Sequence, residues 1–248
     1  MTITYKALSA LLAYPCADLV AALPEIATLV EREPRLSRAH KDGLRALAAG
    51  LERADLLDAQ EAYVALFDRG RTTSLHLFEH VHGDSRERGQ AMVDLKEIYA
   101  RNGFVLSANE LPDFLPAVFE YLSHRPEAEA KDMLGDCAHI LRAVGEALQD
   151  RGSAYSAVLA AALAMAGEAG LALGRPGAPP VKDKPIDEEW VDEPVIFGPA
   201  GAPGCGGGHG AAHPGFAGAQ PGLHTAGAPG CGAPRPQTAV MQFTPRRA

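Results

Sequence analysis

The sequence predicts an all-α protein: a single helical bundle domain of about eight helices with a long loop, followed by a largely disordered C-terminal tail. Three observations carry this reading. Apolar residues recur at spacings of three and four through the first 174 residues, and strict alternation is almost absent. The intervals between these stripes are short, which implies antiparallel neighbours in a bundle. Glycine and proline segregate: residues 1–174 of the 248 hold 6 of the 19 Pro and 12 of the 26 Gly, and the last 74 residues hold the others. The expected domains are therefore 1–174, the helical domain, and 175–248, a Gly/Pro-rich tail.

The elements follow in order. Tyr5, Leu8, Leu11 and Leu12 make a short stripe that ends at Tyr14-Pro15. Asp18 is placed to cap a second helix, with Leu19, Leu23, Ile26 and Leu29 on one face, and Pro24 is expected to kink or split it. Leu44, Leu47 and Leu51 give a third helix. Asp55 opens a fourth, carrying Tyr63, Leu66 and Phe67. A long loop over 68–85 is expected to hold a helical turn around 75–79. Met92, Leu95, Ile98 and Tyr99 mark a helix stopped by Asn102-Gly103. Pro112 suits a first helical turn ahead of Leu115, Val118, Phe119 and Leu122. Pro126 starts the longest predicted helix, which turns Met133, Cys137, Ile140, Leu141, Val144 and Leu148 inward and ends at Gly152. A last helix runs from about 153 to 173. In the tail, residues 185–199 form an acidic segment around Trp190, the only Trp, and beyond it a Gly/Pro/Ala/His-rich stretch cannot bury enough surface to offset its ordering entropy.

Charge narrows the function. The whole formal net charge of −8 lies before Arg175, since the tail carries six basic and six acidic residues. An acidic domain without a basic stripe argues against nucleic acid and against docking on an anionic membrane. The N-terminus shows no basic region followed by an apolar run, so no signal peptide is expected. No long uncharged apolar stretch is available to span a bilayer; the Ala-rich run 154–166 comes nearest and is too short. Cys16, Cys137, Cys205 and Cys231 form no C-x-x-C and suit a reducing cytoplasm.

Two segments depart from helical periodicity, which often marks a site. The first spans 63–94 and mixes aromatic, charged and polar residues. Its His76 and His80 lie four apart beside Glu79, a spacing compatible with a metal-dependent hydrolase, although the following Glu of the zinc-hydrolase pattern is missing and no Cys is near. The alternative is that these histidines make loop hydrogen bonds and pack beside Phe78. Asp68-Arg69-Gly70-Arg71 reads as a salt-bridged helix end with Gly70 left-handed, or as the rim of a groove. The second segment is Glu110-Leu111-Pro112-Asp113-Phe114-Leu115-Pro116, where Asp113 is expected to satisfy first-turn donors of its own helix or to stand on a groove wall. Cys205, His209, His213 and Cys231 are too irregularly spaced to read as more than composition.

The run from Leu66 to Met92, LFDRGRTTSLHLFEHVHGDSRERGQAM, together with ELPDFLPAVFEYL over 110–122, resembles the NarJ family of nitrate reductase molybdenum cofactor assembly chaperones. These belong to a wider helical group of redox-enzyme maturation proteins. The resemblance extends over roughly residues 3–197. It implies a cytoplasmic, non-enzymatic helper of nitrate assimilation. Such a helper grips the N-terminal segment of the apo catalytic (alpha) subunit of a respiratory nitrate reductase until molybdenum cofactor is inserted. It implies no permanently bound cofactor, a transient contact with the client's molybdopterin guanine dinucleotide cofactor, and cofactor delivery proteins as further partners. Members serving exported enzymes carry a Pro-x-Asp-His element; Pro112-Asp113-Phe114 departs from it in spacing and lacks the histidine. On this reading Tyr63, Phe67, Phe78, Leu111 and Phe119 line a groove for an amphipathic helix, and Asp68, Glu79, Asp84 and Asp113 give it an acidic edge.

Overall fold

The computed structural model describes residues 3–83, 85–106, 110–171 and 241–243. All of them belong to one compact unit, Met1–Val181 with Arg235–Ala248; the second unit, Lys182–Pro234, lies outside the described residues, as do the expectations for the acidic Trp segment and the Gly/Pro-rich stretch. The described residues form ten α-helices, one 3-10 turn and two three-residue strands, so the expected helical class holds.

The bundle is organised around α10 (Ser156–Ala166), in which every side chain but Ala164 is buried. A helix apolar on all sides belongs in the middle of a fold, and its many alanines let α9 (Ala138–Asp150), α8 (Glu127–Asp136) and α3 (Arg38–Arg53) pack against it. The close approach of α9 is specific. A Cβ on Gly145 would stand 3.2 Å from the Leu159 Cβ and 2.3 Å from the Leu171 side chain. Beside α10 lies α1 (Ile3–Leu12), which packs on α7 (Leu115–Ser123), a helix buried along its whole length. The Ser9 hydroxyl donates to the Pro116 carbonyl at 2.7 Å and locks this pair.

Four sequence expectations are corrected in detail. The helix α2 (Ala17–Arg32) continues through Pro24, so the proline does not split it. One lost hydrogen bond and a ring clash cost about 3 kcal/mol, whereas burying Leu19, Leu23, Ile26 and Val30 gains about 1.5–3 kcal/mol for each. Its N-cap is Cys16, whose sulfur accepts from the Leu19 amide, with Asp18 in the first turn. The long helix expected over 126–152 is two, because Cys137 leaves helical geometry (φ −102, ψ 8) between α8 and α9. The bend lets Ala130 and Leu134 on one half, and Ile140, Leu141, Val144 and Leu148 on the other, be buried. Finally, it is Pro116 that occupies the first turn of α7; Pro112 lies in the turn before it. The stops at Gly103 (φ 83) and Gly152 (φ 66) are in the left-handed conformation that favours glycine.

The strand β1 (Phe104–Leu106) pairs antiparallel with β2 (Met241–Phe243), and neither was legible as a strand in the sequence. No helix among the described residues is long and apolar enough to cross a membrane.

One polar cluster gives the bundle a pH dependence. Glu33, 7% exposed, accepts from the Thr4 hydroxyl at 2.6 Å and from the Arg35 guanidinium at 2.7 and 2.8 Å. The Arg35 hydrogen bonds, assisted by Thr4, hold its carboxyl down at about 2. A depressed carboxylate contributes stability that is complete above its unfolded value of about 4.5 and is lost as pH falls from there toward the folded value of about 2. Glu33→Gln should therefore flatten the acid limb of a stability profile between about pH 4.5 and 2. Chemical denaturation at stepped pH checks this, and an acid limb identical to that of the parent would refute it.

Candidate protein-binding site

The two segments that broke helical periodicity meet in space. The first leaves α4 (Leu56–Phe67) at the exposed Asp68, passes a 3-10 turn (Arg71–Thr73), and enters the short helix α5 (Leu77–His82). It then continues into α6 (Arg86–Arg101). Where it passes the 110–115 segment, His76 and Phe114 form an antiparallel bridge. The Leu115 amide donates to the Leu75 carbonyl at 2.8 Å and the Leu77 amide to the Asp113 carbonyl at 3.1 Å.

Asp113 is the centre of this junction. Its side chain is fully buried. One carboxylate oxygen accepts from the Phe78 amide at 2.9 Å, and the other lies 3.4 Å from His76 Nδ1. It therefore caps α5, not the helix that follows it, because α7 begins two residues later with Phe114 as its cap. The histidine that the Pro112-Asp113-Phe114 stretch lacks is brought to Asp113 from the other segment. Hydrogen bonding to Asp113 raises the His76 pKa, against the opposing effect of burial. The His76 ring also lies against Phe114, 5.3 Å between centroids.

The remaining polar groups of α5 fasten it down. Ser74 donates its hydroxyl to Glu79, whose other oxygen is paired with Arg88 at 3.1 Å. His80 Nε2 lies 2.9 Å from the Ser74 carbonyl, so it carries the proton and donates. His76 and His80 thus face separate partners. Among the described residues no three His, Cys, Asp or Glu side chains gather to hold a metal, and the hydrolase reading finds no geometric support. Gly70 is extended (φ −150), not left-handed. The turn it precedes is instead pinned from α9: Arg151 reaches Thr73 Oγ1 at 2.8 Å, and Thr73 donates to the Leu66 carbonyl.

The nine residues expected to bind fall into three groups. Phe78 and Glu79 are half-buried on α5, while Leu111, 42% exposed, and Asp68 are open to solvent. Tyr63, Phe67, Phe119 and Asp113 are buried. Tyr63 and Phe67 pack tilted against each other (4.6 Å) and edge-on against Tyr155, with the Tyr63 hydroxyl donating to the Leu12 carbonyl; Phe119 stacks on Tyr5. These four hold the frame that presents α5 and are out of a partner's reach unless helices part. Asp84 lies outside the described residues. The acidic edge is also weaker than composition suggests, since Glu79 faces Arg88 and Asp113 faces His76. Sequence reasoning missed Val81, 52% exposed on α5, and the fastening role of Arg151. Val81 was visible as an apolar residue in the dense segment, whereas Arg151 acts across 78 residues of chain and left no local signal.

Fold and site together define an all-α bundle whose least periodic sequence is spent on holding a short, partly apolar helix at the surface. The chain belongs to the nitrate reductase delta subunit family, whose model matches residues 33–161. It is 44% identical over 161 residues to the nitrate reductase molybdenum cofactor assembly chaperone NarJ of Escherichia coli K12, covering 65% of this chain and 68% of that one. It is 51% identical over 114 residues to the probable chaperone NarW of the same strain, 46% of this chain and 49% of the relative. A probable NarJ of Bacillus subtilis is 30% identical over 166 residues, 65% and 87% of the two chains.

Proposed function

We propose that this chain is a system-specific chaperone of a respiratory nitrate reductase. It binds the N-terminal segment of the apo catalytic subunit in the cytoplasm and promotes molybdenum cofactor insertion before the enzyme assembles at the membrane. It catalyses no reaction and keeps no cofactor of its own. Contact with the client's molybdopterin guanine dinucleotide cofactor, and with the proteins that deliver it, is confined to the loading step. Membership of a family whose relatives are named as assembly chaperones carries this reading. The fastened helix α5 supports it, because a rigid platform reduces the ordering cost of binding. Phe78 and Val81 on α5, with Leu111 nearby in sequence to its cap Asp113, supply apolar anchors of the kind that receive an amphipathic segment.

Calorimetric titration of the full chain with a peptide from the first few dozen residues of the catalytic subunit tests it. Saturable one-to-one binding at about micromolar affinity or tighter, on the order of −8 kcal/mol, is expected. A flat titration would overturn the reading.

A further inference from the structure

We propose that the edge of β1 is a second, strand-accepting site. It takes an extended apolar–polar–apolar segment of the client, and the chain's own Met241–Phe243 is its tethered, displaceable occupant. The reading rests on the client being a polypeptide, as proposed above.

The pairing is unusual for this fold. It is the one sheet among the described residues, and its register sets Phe104 opposite Phe243, Val105 opposite Gln242 and Leu106 opposite Met241. β1 itself is firmly seated: Phe104 is 3% exposed and meets Tyr121 edge-on at 5.4 Å and the His124 ring at 5.3 Å. Val105, by contrast, is 51% exposed. The bundle therefore builds and holds an extended segment whose outer edge presents backbone groups that require a partner. The occupant arrives from 135 residues further along the chain, out of a Gly/Pro-rich stretch, and carries the matching pattern Met-Gln-Phe.

Its grip is weak by construction. Three residues make few ladder hydrogen bonds, each of small net worth, and beyond them β2 touches α7. Against them stands the entropy of closing a very long loop, which also limits the tether to an effective concentration on the order of millimolar or less. A segment in trans that pairs over a longer stretch wins this exchange. The location suits a function in client binding. β1 follows α6 directly, the Tyr99 hydroxyl of α6 donates to the Pro112 carbonyl at 2.8 Å, and the chain then reaches Asp113, the cap of α5. Strand exchange at β1 therefore acts on the same connection that positions α5.

The test uses the full chain and a fluorescein-labelled synthetic peptide with the sequence of residues 237–247. In one variant, Met241→Pro, Gln242→Pro and Phe243→Pro together remove every donor of β2. The variant should bind the peptide saturably and at least tenfold more tightly than the parent. It should lose amide protection over 104–106, and the peptide should restore it. Unchanged protection in the variant, or no peptide binding, would overturn the proposal. Should the triple variant fold poorly, the parent cut at a protease site inserted near residue 205 replaces it, because dilution then releases the strand with the same expected readouts. The catalytic-subunit peptide is tested on the same variant. If it binds but leaves the 104–106 amides exposed, the client does not use this edge and the proposal fails while the chaperone reading stands. If it does not bind at all while the residue 237–247 peptide does, the chaperone reading fails, and with it the client as occupant of β1, while the strand-accepting edge itself stands.

Discussion

Replacing Asp113 with alanine is expected to lower the unfolding free energy by about 2–3 kcal/mol, the upper part of the range for leaving a hydrogen-bond donor without its acceptor. The change strands two groups. The Phe78 amide loses its acceptor in a part-buried setting, and His76 loses the carboxylate that favours its protonated form. A six-residue helix does not sustain itself in water, so α5 should fray once its cap is gone. Asp113→Asn keeps an acceptor for Phe78 and should cost about half as much. The His76 part of the effect depends on pH in a defined direction. A histidine whose pKa is raised by folding contributes stability that is complete below its unfolded value of about 6.5 and disappears as pH rises through the folded value. The parent should therefore lose part of its margin over Asp113→Asn above that range. Urea denaturation at pH 5.5 and 8.5 measures this, and hydrogen exchange over 77–82 reports the fraying. A variant as stable as the parent, with α5 still protected, would show that Asp113 does not hold the junction.

The same residue shows why the sequence was legible for the fold and much less so for the site. Helices declare themselves locally: Leu44, Leu47 and Leu51 lie on one face of α3 because 3.6 residues make a turn, and all three are buried. The stops at Gly103 and Gly152 were equally readable, because each needs a backbone conformation that only glycine adopts cheaply. Asp113 sits beside Pro112 just before a helix, which is the local pattern of a first-turn acid. Its partner is an amide 35 residues earlier in the chain, and no local pattern encodes that. Tyr63, Phe67 and Phe119 show the same limit, because aromatic residues mark grooves and cores alike. Only packing separates the two uses, and the structure buries all three. The departure of the dense segment from periodicity is what a helix capped by a distant carboxylate and a turn pinned by a distant arginine require. β1 and β2 were hidden for a related reason. Three residues are too few to show alternation, and the partner lies beyond a Gly/Pro-rich stretch.

Phe119→Ala and Phe78→Ala should separate the frame from the surface it presents. Phe119, on α7, is fully buried and stacked on Tyr5 of α1, so its truncation should cost about 3–5 kcal/mol. That loss approaches the whole margin of many domains, and a chain so weakened would bind a client poorly only because less of it is folded. Phe78 is half-buried on α5 with His82 at its edge, 5.8 Å between centroids. Because it also packs against the core, its truncation should cost about 1–2 kcal/mol in stability, yet weaken the catalytic-subunit peptide roughly 5- to 30-fold if it is an anchor of about 1–2 kcal/mol. Denaturation midpoints and calorimetric affinities on the two variants, taken at a temperature where both are folded, give a two-by-two comparison. A large affinity loss in folded Phe119→Ala, with Phe78→Ala unaffected, would place the client between α1 and α7. Those helices would then have to part to admit it, and the short helix fastened by Asp113 would be a hinge for that opening instead of the platform itself.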